Sequence, residues 1–512
     1  MSRTLTAGDD RDVCHFVTGL GPLQSAARQV TGCTAHTATA RCHRFSPTHA
    51  SMSSFEGLMV SVSGVRGRVG AGLTPEVVAT YAAGFGAWAT GLKPGAPIVV
   101  GRDSRVSGPL FHRVVLSALE SVGCHVIDIG VVPTPTVQLA VEHHHAAGGL
   151  AITASHNPVE WNALKFIGSS GLFLDQADSL SFRAATDHGF ARASWDRLGS
   201  TTVDGDAVKR HLDLILALKY IDAPALRARR LKVALDCVNG AGAPIMLALL
   251  EALGCQVTAI HTVADGRFPH PPEPIAENLS DLSELVRHSG ADVGLAVDPD
   301  VDRLAIVDEH GNPIGEDYTL AFAAALVLRR SPGVVVTNLS TSRVVEDAAL
   351  AAGQRCVRAP VGEANVASAM KAERAAIGGE GNGGVILPDL HLGRDAPAGA
   401  ALVLQLLCET GMSPSQLKAA SPRYDIVKDK LDRPDAPLGT VYAALREAFP
   451  GADVDVQDGL RLSWADRWVH VRPSGTEPIV RVIAEAPTRA EAEALVAQSR
   501  KPLDELVRAS AR

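Results

Sequence analysis

The sequence predicts an α/β protein made of three topologically similar α/β domains and a smaller α+β C-terminal domain. One plan occurs three times: strand, small-residue loop, apolar helix, glycine or arginine, cysteine, second strand. The first copy runs Ile98-Val99-Val100-Gly101-Arg102-Asp103, a helix around 114–119, then Gly123-Cys124-His125-Val126-Ile127. The second is Val233-Ala234-Leu235-Asp236, a helix over 243–253, then Gly254-Cys255-Gln256-Val257. A third follows as Val334-Val335-Val336-Thr337-Asn338, a helix over 344–352, then Arg355-Cys356-Val357. After Pro422 the pattern changes to alternating strands at 423–426, 454–456, 460–462 and 468–471, closed by a helix over 488–495 that Thr488 caps. The expected divisions are therefore 52–215, 216–315, 316–422 and 423–512.

Composition fits this plan and removes other classes. Apolar residues make up 46% of the 512-residue chain and aromatics only 4%, which suits repeated strand–helix units. A formal net charge of −8 opposes nucleic acid as the main partner, so an anionic substrate must be held by local arginines. No apolar run is long enough for a membrane helix, so no membrane partner is expected. The eight cysteines contain no Cys-x-x-Cys pair and read as reduced thiols of a cytoplasmic protein, those of the repeat acting as small hydrophobes. Residues 1–51 carry Cys14, Cys33 and Cys42 with no steady period, and read as a disordered tail or an over-extended start before Met52.

Four segments concentrate chemistry. Thr153-Ala154-Ser155-His156-Asn157-Pro158 follows the strand-like Gly149-Leu150-Ala151-Ile152, and Pro158 blocks helical continuation. Ser155 thus belongs in a tight loop at a strand end, as a covalently phosphorylated nucleophile or as a plain turn hydroxyl. Asp298-Pro299-Asp300-Val301-Asp302-Arg303 lies between apolar runs at 293–297 and 304–307. Carboxylates at i, i+2 and i+4 of an extended loop suit a hard cation, Mg²⁺; a calcium EF-hand fails because Arg303 stands where glycine is needed and strands replace the helices. A solvated acidic turn is the bland alternative.

Gly378-Gly379-Glu380-Gly381-Asn382-Gly383-Gly384 contains a G-x-G-x-x-G match, but Val385-Ile386-Leu387-Pro388 follows as strand and stop, so no dinucleotide helix opens there. A flexible loop offering Glu380 and Asn382 to sugar hydroxyls is the preferred reading, a plain glycine turn the other. Arg472-Pro473-Ser474-Gly475-Thr476-Glu477-Pro478 gathers a guanidinium, two hydroxyls and glycine-permitted N–H groups into a phosphate nest. Ser63-Gly64-Val65-Arg66-Gly67-Arg68 and Gly101-Arg102-Asp103-Ser104-Arg105 add basic groups for phosphate, with surface solvation an equal alternative for Arg68 and Arg105. Lys165 is either a desolvated acid/base group or a surface lysine.

In order along the chain, these segments resemble the α-D-phosphohexomutase family, from about Phe55 to the C-terminus. Pro272-Glu273-Pro274 with Glu277-Asn278-Leu279 adds a fifth match. The resemblance implies four domains around a central cleft. It also implies that phosphorylated Ser155 passes its phosphoryl group to a hexose phosphate, and that a bound hexose 1,6-bisphosphate turns over before the other phosphate returns. By the same resemblance, Mg²⁺ sits on Asp298, Asp300, Asp302 and Ser155, while Arg303, Lys165 and His156 serve acid/base and phosphoryl-stabilising roles. Glu380, Asn382, Arg472, Ser474, Gly475, Thr476 and Arg66 would hold the substrate. Some relatives carry serine at the place of Asn382 and histidine at that of Gly384, so a histidine acid/base in that loop is not implied. The Gly-Glu-Gly-Asn-Gly-Gly form is most similar to an archaeal-type phosphoglucosamine mutase or phosphoglucomutase/phosphomannomutase branch, with glucosamine phosphate preferred. Two rivals stand beside this: a haloacid-dehalogenase-like enzyme phosphorylated on Asp298, and a sugar-phosphate-binding module without turnover.

Overall fold

Each of the first three sheets contains the same four-strand unit, and the reason lies in how parallel strands must connect. The computed structural model describes residues 57–62, 64–433, 437–473 and 479–510, side chains to 505, all in one compact unit, Ala50–Arg512. The expected tail at 1–51, Ser63, and the nest residues Ser474, Gly475 and Thr476 lie outside the described residues.

The first sheet holds β1 (Leu58–Ser61), β2 (Gly64–Arg68), β3 (Ile98–Arg102), β4 (His125–Val131), β5 (Gly148–Ile152), β6 (Trp161–Gly168) and β7 (Ser200–Val203), in the order β1-β2-β6-β5-β3-β4-β7. The second holds β8 (Lys232–Asp236), β9 (Gln256–Ile260), β10 (Val293–Val297) and β11 (Leu304–Val307), ordered β11-β10-β8-β9. The third holds β12 (Val335–Asn338), β13 (Cys356–Ala359), β14 (Ile377–Glu380), β15 (Gly384–Leu387) and β16 (His391–Arg394), ordered β13-β12-β14-β15-β16. The fourth, antiparallel throughout, holds β17 (Asp425–Asp432), β18 (Asp453–Asp455), β19 (Leu460–Ser463), β20 (Trp468–Pro473) and β21 (Ile479–Ala486), ordered β17-β21-β20-β19-β18.

The shared unit is three parallel strands, β4-β3-β5, β9-β8-β10 and β13-β12-β14, followed by an antiparallel fourth, β6, β11 or β15. Parallel neighbours need a helical crossover. Helices Gly108–Glu120 and Thr134–His143 serve the first unit, Ala243–Ala252 and Ser280–Ser289 the second, Arg343–Ala351 and Glu363–Glu373 the third. The antiparallel fourth strand needs only a short polar connection, and those three connections carry Ser155, Asp298–Arg303 and Asn382.

Packing separates the units unevenly. The first has its own core, with Phe85, Phe166 and Phe182 in mutual ring contact at 4.7–5.7 Å between centroids. The second and third share one core through helices Ala243–Ala252, Asp317–Arg330 and Ala396–Thr410, while the fourth sheet packs on its own residues. Among the described residues no helix is long and apolar enough to cross a membrane, and the five cysteines there are free thiols.

Several local expectations change. The glycine-rich segment is an ordered hairpin, with Glu380 paired to Gly384 across β14–β15. A Cβ on Gly379 would lie 2.1 Å from the Gly384 carbonyl oxygen, so glycine is what lets the two strands approach. The fourth domain contains helix Leu438–Ala448 and strand β21, neither expected, and its first strand begins at Asp425 rather than at 423. Thr488 does cap the last helix: its Oγ1 accepts the Glu491 N–H at 3.3 Å and its hydroxyl donates to Glu491 Oε2 at 2.8 Å.

Candidate functional site

Ser155 stands at the tip of the β5–β6 connection with φ of +50°, a left-handed conformation costly for a residue with a Cβ. A buried arginine maintains it. Arg105, fully buried, pairs through Nε with Asp103 Oδ2 at 3.0 Å. Its Nη1 donates to the Pro158 and Trp161 carbonyls (2.8 and 2.9 Å), and its Nη2 to those of Ser155 and Asn157 (2.5 and 2.7 Å). Thr153 completes the frame, donating its hydroxyl to Asp103 Oδ2 at 2.6 Å and accepting the Ser155 N–H at 2.9 Å. Arg105 is therefore neither a phosphate ligand nor a solvated surface group; it is the clamp of the serine loop. Arg68 is exposed, its guanidinium 5.6 Å from the Trp161 ring centroid.

The Ser155 hydroxyl donates to Asp298 Oδ2 at 2.8 Å, joining the first unit's connection to the second's. Asp298, Asp300 and Asp302 are buried, and each offers a carboxylate oxygen within 4.8 Å of the others. Burial, then the charges of Asp300 and Asp302, push Asp298 well above the usual carboxylate range. Asp300 Oδ1 and Asp302 Oδ1 are buried without a hydrogen-bond partner, so the all-oxygen trio fits a hard divalent cation. Lys165, on β6 opposite Ala151, reaches Asp300 Oδ2 at 2.6 Å and Asp302 Oδ2 at 3.5 Å. Burial pulls its ammonium down, but Asp300 and Asp302 outweigh burial and raise it.

His156 Nδ1 is 3.4 Å from Ser155 Oγ, and its Nε2 is 3.7 Å from Glu273 Oε1. Burial, then Arg303 and Arg66, hold His156 well below its ordinary value. Arg303 lies 3.3 Å from Glu273 Oε1, and Arg66 donates to Asn157 Oδ1 at 2.6 Å.

Of these groups Ser155, His156, Lys165, Arg303 and Arg66 line one cleft cavity of about 500 Å³, walled by residues from all four sheets' neighbourhoods. Six cationic side chains face it: Arg66, Lys165, Arg303, Arg394, Arg472 and Arg481. Glu380 also lines it, its Oε1 accepting Asn338 Nδ2–H and the Gly362 N–H at 2.9 and 3.0 Å. Asn382 does not line it. Its Oδ1 accepts the Gly384 N–H at 3.2 Å and its Nδ2 points to Glu380 Oε2 at 3.4 Å, so the amide closes its own turn. Arg472 sits in β20 directly opposite Arg481 of β21, with Asp458 Oδ2 3.0 Å from its Nε.

Sequence reasoning missed Arg394, Glu363 and Thr134. Buried Arg394 ends β16 and donates to Asp302 Oδ2 (2.7 Å), Glu363 Oε2 (3.0 Å) and Glu380 Oε2 (2.8 Å), tying the acidic loop to the glycine hairpin. Asp395 fixes it there by capping the next helix through the Ala398 N–H at 2.8 Å. Thr134 donates its hydroxyl to Asp300 Oδ2 at 2.7 Å and its N–H to the Asp300 carbonyl at 2.9 Å. The available signal was the triplet Gly393-Arg394-Asp395, which repeats Gly101-Arg102-Asp103.

Four domain descriptions of one family match in order: phosphoglucomutase/phosphomannomutase alpha/beta/alpha domain I at residues 58–189, domain II at 209–311, domain III at 315–424 and the C-terminal domain at 429–501. Fold and cleft together are those of a phosphohexomutase, an isomerase that moves a phosphoryl group on a sugar. The chain belongs to the phosphoglucomutase/phosphomannomutase family. It is 37% identical over 445 residues to a probable phosphoglucosamine mutase of Methanopyrus kandleri, covering 86% of this chain and 96% of that one. It is also 37% identical over 458 residues to a phosphoglucomutase/phosphomannomutase of Thermococcus kodakarensis, covering 88% and 100%. A phosphoglucomutase/phosphomannomutase family protein of Burkholderia thailandensis, solved by X-ray crystallography, superposes with a TM-score of 0.76 at 27% identity, over 88% of this chain and 98% of that one.

Proposed function

We propose that the protein interconverts the 1- and 6-phosphates of a hexose, glucosamine phosphate first among them, through phosphorylated Ser155 and a bound hexose 1,6-bisphosphate. The observation that carries this reading is Ser155 Oγ at 2.8 Å from an acidic trio, inside a cavity faced by six cationic side chains in a protein of net charge −8. Phosphoryl transfer asks little covalent chemistry of a protein and much positioning and charge. In the first step the bond from phosphorus to Ser155 Oγ breaks as a bond to a sugar hydroxyl oxygen forms. The sugar hydroxyl gives up its proton and the departing Ser155 oxygen takes one up, so His156, whose Nδ1 lies 3.4 Å from Ser155 Oγ, can pass the proton from one oxygen to the other. His156, kept uncharged near neutral pH by burial and by Arg303, is suited to accept that proton. Lys165 and Arg303, both cationic, offset charge on the moving group. The reverse step, with the sugar's other phosphate in place, restores phosphoserine.

A hard cation, Mg²⁺ foremost, would be held by Asp298, Asp300 and Asp302 with a Ser155 phosphate oxygen, and when bound it supplies charge withdrawal from the phosphoryl group. Arg472 and Arg481, side by side on two strands and both facing the cleft, support the idea of a standing phosphate held between them. Glu380 would grip ring hydroxyls, while Asn382, spent on its own turn, would shape the hairpin. The nest residues Ser474, Gly475 and Thr476 keep their proposed phosphate role. A cytoplasmic setting goes with this reading and with the free thiols.

The experiment is a mutase assay across glucosamine, glucose and mannose phosphates, paired with radiolabelling of the enzyme. Label should stay on Ser155 through hydroxylamine treatment, and Ser155→Ala should abolish turnover while retaining substrate binding. Release of label by hydroxylamine would instead assign the covalent role to an aspartate.

A further inference from the structure

We propose that Asp236, His261 and His270 form a second cation site, distinct from the Asp298 loop, that takes a divalent transition metal such as zinc. Asp236 ends β8, His261 follows β9 directly, and His270 lies in the segment beyond, so all three gather at the carboxyl ends of parallel strands, where α/β sheets collect ligands. Each offers one ligand atom, all within 4.8 Å of one another. His261 Nδ1 is 3.0 Å from Asp236 Oδ1, and His270 Nε2 is 3.0 Å from Asp236 Oδ2. Zinc bonds of ~2.0–2.1 Å in a tetrahedron set ligand atoms about 3.3 Å apart, inside the 4.8 Å within which one atom from each residue lies, while the two 3.0 Å contacts show that each ring already faces a different oxygen of Asp236.

The protons make the case sharper. His270 Nδ1 lies 2.9 Å from the Pro271 carbonyl, which only accepts, so Nδ1 carries the ring proton. In the neutral ring Nε2 is then bare, and its lone pair faces a carboxylate oxygen at 3.0 Å, two acceptors with nothing between them. A metal ion resolves the clash, and a backbone carbonyl holding the far nitrogen is how metal-ligating histidines are oriented. The other resolution is a second proton on His270: burial pulls the ring down, but the hydrogen bonds to Asp236 and the Pro271 carbonyl outweigh burial and raise it, so the choice between proton and metal falls to the experiment below. Two imidazole nitrogens and one carboxylate suit zinc, cobalt or nickel better than magnesium or calcium. Both rings keep some solvent exposure, so water can fill a fourth position.

The site would tie down the segment that follows His261. That segment carries Phe268, whose ring centroid is 5.0 Å from the Arg105 guanidinium, and Glu273, which meets Arg303 and His156. A metal here would therefore stiffen the back of the serine loop clamp without touching the reacting groups.

The test uses the full chain purified without chelator or a histidine tag, with excess Mg²⁺ to fill the all-oxygen loop. Elemental analysis should find about one zinc per chain, and exchanged Co²⁺ should give the strong visible bands of a tetrahedral nitrogen/oxygen site. His270→Gln should lose both, weaken Co²⁺ binding by about 100-fold or more, and raise amide hydrogen exchange across 261–273, while Asp300→Asn should keep both. A wild-type protein that retains no transition metal and shows no such bands at stoichiometric Co²⁺ overturns the proposal.

Discussion

Replacing Arg105 with methionine isolates the contribution of the frame around Ser155. The guanidinium is fully buried, paired with Asp103 and bonded to four carbonyls of the serine connection. Methionine fills similar space but donates nothing, leaving Asp103 buried with only the Thr153 hydroxyl and the residue-105 N–H as partners. Removing one member of a buried ion pair costs ~3–5 kcal/mol. The lost carbonyl bonds overlap with that figure rather than adding to it, so about 4 kcal/mol is the expected loss in the first unit. Urea unfolding together with hydrogen exchange resolved over 153–161 reads this directly. Turnover should fall further than KM rises, because Ser155 is displaced while Arg303 and Arg472 remain. Wild-type exchange in that segment, with an unchanged unfolding midpoint, would refute the clamp.

Asp300→Asn removes one oxygen charge from the trio and the partner of Lys165 and Thr134; it should cut kcat by at least about 100-fold and raise the Mg²⁺ concentration needed for half-activity. An unchanged Mg²⁺ dependence would count against the loop as the cation site. Arg472→Ala should raise KM for both the 1- and the 6-phosphate by about tenfold or more with a smaller change in kcat, since a charge-assisted bond contributes ~1.5–3 kcal/mol; equal KM values for mutant and wild type would remove Arg472 from the phosphate site. His470 is fully buried as a neutral ring between the Asp458 carbonyl and the Ser340 hydroxyl, and burial pulls it down to about 4. An unfolded histidine titrates near 6.5, so the unfolded chain binds more protons between about 4 and 6.5, and stability present above that window is lost as pH falls through it, by up to about 3 kcal/mol. His470→Gln should flatten that part of the stability curve; an unaltered slope would refute the assignment.

The acidic loop was legible to the residue: apolar runs at 293–297 and 304–307 are β10 and β11, because five polar or turn-forming residues and Val301 interrupt two fully buried strands. The repeat was legible for the same reason, since buried parallel strands are nearly pure apolar runs. Arg394 was not, because its one local signal, the Gly-Arg-Asp triplet shared with 101–103, does not say what the guanidinium meets. Its meaning comes from partners 92, 31 and 14 residues away. Strand β21 was hidden similarly: Glu485 breaks its alternation, yet it is buried, accepting Trp468 Nε1–H at 2.7 Å and the Arg343 N–H at 2.9 Å. The glycines of 378–384 weigh against a strand on propensity, whereas close backbone approach in the hairpin requires them.

The strand that turns back at the end of each repeated unit makes the chemistry modular. Eight residues bridge β5 and β6, six bridge β10 and β11, and three bridge β14 and β15, while the sheets beneath keep one plan. One bridge apiece can therefore change its chemistry, holding Ser155 in the first unit, the Asp298–Asp302 carboxylates in the second and the Asn382 turn beside Glu380 in the third, with no change to the strands beneath. The same latitude makes the clamps behind the bridges, Arg105 and Arg394, the residues that any redesign of a bridge must leave alone.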